Sequence, residues 1–122
     1  MRGHRIDRRR HRRKYAAGEL PADRSFWFRG PKNALNLRAQ NLMMFLQLAD
    51  GVDDETWEHH RRQHHYSRWF RDSIKDETLA EEASRIEGLI TLTADEGRKL
   101  LRAAVERDYT LPASPLPVAG AS

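Results

Sequence analysis

Cysteine is absent from the 122 residues. That excludes a disulfide framework, a thiolate nucleophile and any zinc or iron–sulfur site built on sulfur ligands, and it accords with a reducing cytoplasm. No apolar run comes near the ~18–20 residues that a membrane-spanning helix needs. The N-terminus, crowded with arginine, lacks the short apolar core of a secretory signal. The expectation is a cytoplasmic protein without membrane contact. Also missing are a Gly-rich phosphate loop, a nucleophile elbow around a serine and an Asp-x-Asp pair at a strand end. Asp53, Asp54 and Glu55 form a group of carboxylates, but helix capping accounts for them. Nothing here amounts to a catalytic signature or a cofactor site.

What is present is unevenly spread. Residues 1–14 hold eight basic residues against one acid, a charge of +7, whereas the remainder holds 14 basic and 17 acidic residues, a charge of −3. The pI of 9.8 therefore belongs to the arm. With Ile6 its only aliphatic side chain beyond the initiator, the arm cannot bury a face, and disorder is expected. Residues 15–25 read as a linker, interrupted by Gly18 and Pro21. Pro112, Pro115 and Pro117 among small residues mark residues 110–122 as a tail that will not stay helical.

Between the two ends, the spacing predicts an all-α domain over residues 26–109, a compact bundle of four to five short helices. A first helix is expected from residues 33–36 to 50, because Leu35, Ala39, Leu42, Leu46 and Ala49 recur at helical spacing. Phe45 widens that stripe, and Leu37, Met43, Met44 and Leu48 leave the helix apolar around much of its girth. Such a helix needs cover, from its own bundle or from a second copy. The aromatic run Phe26, Trp27, Phe28 is expected to be extended and packed on the helices; as a lone strand it would need a partner chain. A second helix follows an Asp53 or Asp54 cap and carries Trp57. A third carries Tyr66, Trp69, Phe70 and Ile74. Asp76 caps a fourth with Leu79, Ala83, Ile86 and Ile90. Thr93 and Glu96 form a capping box ahead of a fifth, which buries Leu100, Leu101, Ala104 and Val105.

Three constellations bear on chemistry. His60 and His64 share a helix face and are candidate zinc ligands, but Arg61 stands where a metalloprotease-type motif has its Glu, and Arg61 and Arg62 would repel a dication. Arg38, Asn41, Tyr66, Arg68, Trp69 and Arg71 are the candidate ligand-binding set, arginines suited to phosphate and aromatics to stacking. Arg8, Arg9, Arg10, Arg12 and Arg13 could lie along a nucleic-acid backbone, although no aromatic residue is interleaved with them. Solvated helix faces and internal bracing are the bland alternative for each.

The run FRGPKNALNLRAQNLMMFLQLADGVDDETWEHHRRQHHYSRWFRDSIKDETLA resembles a small helical domain of unknown function found in bacteria and archaea. That domain occurs alone and also fused behind haloacid-dehalogenase-type phosphatases of phosphoglycolate or sugar-phosphate type. The resemblance covers residues 26–109. It is carried most specifically by LNLRAQN (35–41), GVDDETW (51–57) and YSRWFR (66–71), with ERDYT (106–110) closing it. His64 and His65 stand where the resemblance calls for a Gly-Asp turn. It implies a non-catalytic accessory or regulatory module that binds a partner protein or a small phosphorylated ligand. The catalytic Asp of the fused phosphatases lies in a separate domain, of which nothing is present. The alternative is a nucleic-acid-associated protein acting through the arm. Homodimerisation is expected from the broadly apolar first helix.

Overall fold

Asn41 decides where the first long helix starts. Its backbone is extended at φ −159°. Its side-chain Oδ1 accepts the Met44 N–H at 2.8 Å, an N-cap that satisfies one of the four free amides of a helix start. In the computed structural model, which describes residues 15–109, the helix α2 is therefore Leu42–Gly51. This corrects the helix expected from residues 33–36. Residues upstream of Asn41 instead form a strand, β2 (Leu37–Ala39), antiparallel to β1 (Phe26–Phe28) with Phe26 opposite Ala39, Trp27 opposite Arg38 and Phe28 opposite Leu37. The all-α expectation is corrected with it: the chain is mostly helical and carries a small two-stranded sheet. The aromatic segment has its pairing partner within the same chain, so it gives no reason to invoke a second one.

The turn between the strands depends on Gly30. Its φ of +71° lies in the left-handed region that side chains resist, and a Cβ there would come within 3.0 Å of Thr56 Oγ1. Two single-turn 3-10 segments, Ala22–Arg24 and Pro31–Asn33, flank β1. Ahead of them, residues 15–17 are helical (α1), and Tyr15, Ala16 and Leu20 are buried in the core. The stretch read as a linker thus packs as part of the folded unit. The basic arm and the proline-rich tail lie outside the described residues.

After α2 come α3 (Asp54–Arg62), α4 (His65–Trp69), a π-helical turn at Phe70–Ile74, α5 (Glu77–Glu87) and α6 (Ala94–Tyr109). The predicted caps of α5 and α6 are in place, whereas Asp53 stands at the N-cap of α3 but its carboxylate accepts the Thr56 hydroxyl and no helix amide. Leu79 N–H donates to Asp76 Oδ1 at 3.0 Å, and Thr93 and Glu96 exchange reciprocal bonds of 2.9 and 3.1 Å, the geometry of a capping box. Two stripe assignments fail at their edges. Ile90 is 79% exposed because α5 has already ended, and Leu100 is 42% exposed on the outer face of α6.

Although aromatics are scarce, they converge. Phe26 and Phe28 of β1, Phe45 of α2, Trp57 and His60 of α3, and Tyr66, Trp69 and Phe70 around α4 make one continuous ring cluster. Trp57 stacks on Tyr66 with centroids 4.4 Å apart, and Phe28 on Phe45 at 5.5 Å. Ring pairs of this kind add about 0.5–1.5 kcal/mol each beyond the burial itself. Gly97 of α6 lets the Trp57 indole approach, since a Cβ there would sit 3.2 Å from its Nε1. Around it, α5 packs on α4, and α6 packs on α2, α3 and α5.

Candidate functional site

The junction of α3, α4 and the Arg29–Gly30 turn holds a connected set of polar side chains inside the fold. Its centre is His60, 3% exposed and wedged against the rings of Phe26 and Phe28. Helical spacing from Trp57 turns His60 inward. There its Nε2 accepts the N–H groups of both Arg29 and Gly30 at 3.2 Å. Its other nitrogen, Nδ1, lies 2.8 Å from Nδ1 of His65. Burial, then the neighbouring His65 and His59, hold the His60 pKa down to about 4. Burial, then Arg68 and His59, lower that of His65.

Beside this pair, Glu87 at the end of α5 is 2% exposed and faces the start of α4. Its Oε2 accepts the N–H groups of Tyr66 and Ser67 at 3.0 and 3.1 Å, and its Oε1 lies 3.0 Å from His64 Nδ1. A carboxylate from one helix thereby caps the free amides of another. His64 itself has φ +57°, a left-handed residue at the position where the resemblance calls for glycine. Arg61, clasped by Glu58 at 2.6 Å, donates to the Glu87 backbone carbonyl at 2.7 Å.

Arg98 of α6 is 9% exposed. Its Nε donates to the Ala49 carbonyl and one terminal nitrogen to the Val52 carbonyl, both at 2.8 Å. The other terminal nitrogen meets Asp54 and Asp95 at 3.0 Å, and the guanidinium lies over the Trp57 ring. It closes the C-terminal end of α2, whose last carbonyls have no helical partner.

The candidate ligand-binding residues are distributed differently from the sequence expectation. Arg38 donates to Ser25 Oγ and to the Leu20 carbonyl, bracing the segment ahead of β1. Asn41 caps α2 and donates its amide to the Gly18 carbonyl at 2.7 Å. Tyr66 is fully buried with its hydroxyl on the Trp57 carbonyl, and Trp69 donates its indole N–H to the Arg24 carbonyl. Arg68 is exposed, and Arg71 pairs with Glu77 at 3.2 Å. Four of the six are turned into the fold. His60 and His64, the candidate zinc pair, have separate partners, His65 and Glu87. Among the described residues no group of three or more His, Asp or Glu is placed to hold a metal ion.

Sequence reasoning missed His65, Glu87, Arg98 and the Gly30 turn. Only Gly30-Pro31 carried a local signal, as a turn dipeptide. The other three act across 5, 20 and 46 residues or more, distances at which helical spacing says nothing. Comparison of the chain with protein-family models, curated proteins and solved structures found no match.

Proposed function

We propose that this chain is a non-catalytic helical module that acts by binding a partner protein. The observation that carries the reading is the disposition of its polar side chains. Four of the six candidate ligand groups are engaged inside the fold, with Arg38, Asn41, Tyr66 and Trp69 each bonded to backbone carbonyls. Large apolar groups are left outside, led by Ile90 with Leu89 beside it and Leu100 on the following helix. Exposed apolar side chains that gain by burial suit a protein surface better than a small polar ligand. By the resemblance of residues 26–109, a haloacid-dehalogenase-type phosphatase is the natural partner to try first. A small phosphorylated ligand is the weaker form of this reading, left with Arg68 and the partly paired Arg71.

Paired baits test it: the full chain and its Ile90→Asp variant, each titrated against a purified candidate phosphatase from the same genome. A stoichiometric complex weakened at least about tenfold by Ile90→Asp supports the reading. Turnover of a phosphate ester by the pure chain, abolished by changing one of its own side chains, overturns it.

The alternative rests on the +7 charge of residues 1–14. Binding to duplex DNA through Arg8, Arg9, Arg10, Arg12 and Arg13 would fall steeply with salt and vanish when residues 1–14 are removed.

A further inference from the structure

We propose that the His60–His65 contact is a proton-sensitive clasp, which holds the Arg29–Gly30 turn to α3 and α4 when both rings are neutral and lets it go when the pair takes up a proton. Hydrogen-bond arithmetic carries this. Nε2 of His60 accepts from two backbone N–H groups, so it bears no proton, and the proton of the neutral ring must be on Nδ1. That N–H points at His65 Nδ1, 2.8 Å away, which must therefore be the acceptor, leaving the His65 proton on Nε2. Both tautomers are thereby assigned. A further proton has two places to go. On His65 Nδ1 it would set N–H against N–H at hydrogen-bond distance; on His60 Nε2 it would face the Arg29 and Gly30 amides. Either breaks the arrangement.

The surroundings do nothing to shelter a charge. The groups that act on the pair through their charge are His59 on α3 and Arg68 on α4, and they disfavour a further proton. Arg29 contributes its backbone, while its guanidinium goes to Asn36 and lies over Trp27. The nearby carboxylates are occupied, Glu58 by Arg61 and Glu87 by His64 and two amides. The left-handed Gly30 turn aims both amides at one nitrogen, and protonation of Nε2 removes both bonds that join the turn to the ring.

Imidazole 15N shifts and amide hydrogen exchange of the full chain test the clasp. Near neutral pH, His60 should show a protonated Nδ1 and bare Nε2, and His65 the reverse. The protection factor of the Gly30 amide should fall at least about tenfold between about pH 7 and pH 4, while that of Leu101 in α6 changes by less than about threefold. In His65→Asn the amide oxygen can accept the His60 proton without titrating, so release should move to acid by about one pH unit. Inverted tautomers, a Gly30 amide that keeps its protection to pH 4, or an unchanged midpoint in His65→Asn would each overturn the clasp. The 15N readout needs only the unsubstituted chain and stands if that variant does not fold.

Discussion

Replacing Arg98 by methionine should remove a large share of the stability of the fold. Methionine keeps most of the aliphatic stem over Trp57 but supplies no donor. The carbonyls of Ala49 and Val52, which receive buried bonds of 2.8 Å, are then left without partners at the end of α2. Each buried carbonyl so stranded costs about 1–3 kcal/mol. The ion pairs to Asp54 and Asp95 add little, because both carboxylates are largely exposed. The expected loss is about 3–4 kcal/mol, against a total of ~5–15 kcal/mol for an ordinary domain. Urea unfolding followed by tryptophan fluorescence would read it as a lower midpoint at unchanged slope. Arg98→Lys should fall between the two, since a single ammonium cannot serve both carbonyls and the acids in the plane that the guanidinium spans. A loss under about 1 kcal/mol in Arg98→Met, or a lysine variant as stable as the parent, would refute the assignment of Arg98 as the brace of this helix end.

Three further outcomes follow from the same geometry. His60 is held neutral in the fold, with a pKa of about 4 against 6.5 when unfolded, so its contribution is full above pH 6.5 and declines as pH falls towards 4. Equilibrium unfolding across that window should show about 3 kcal/mol more acid loss in the parent than in His60→Gln, which retains an acceptor without titrating, and equal slopes would disprove it. Glu87→Ala should lose about 2–4 kcal/mol by stranding the Tyr66 and Ser67 amides, and Glu87→Gln roughly half of that, both measured by chemical denaturation. In Gly30→Ala, φ +71° and the 3.0 Å approach to Thr56 Oγ1 both oppose a Cβ. That variant should lose about 1–2 kcal/mol or more; a thermal shift within a degree of the parent would contradict this.

Much of the helical layout was legible in the residues because its signals are local. Asp76 with Leu79, and Thr93 with Glu96, are caps closed within three residues, and Leu79, Ala83 and Ile86 or Leu101, Ala104 and Val105 are stripes within one helix. Ala39, Leu42 and Leu46 fit the same period, yet Ala39 belongs to β2. A three-residue strand is too short to show alternation, and its pairing with Phe26 lies in another segment. Asn41 was the available clue, a strong N-cap residue just ahead of an apolar run.

The sequence by itself determined an acidic, mostly helical body, a basic arm, the caps at Asp76 and at Thr93 and Glu96, and the absence of cysteine, since composition and short-range spacing are enough for these. Only the tertiary structure decided the β1–β2 pairing and which polar groups are free to meet a ligand. It also set His60 against His65, Glu87 at the start of α4 and Arg98 at the end of α2. Each of those joins a buried polar group to a partner on another element. The need for such a partner is absolute once water is excluded, but its identity depends on which segments the packing brings together.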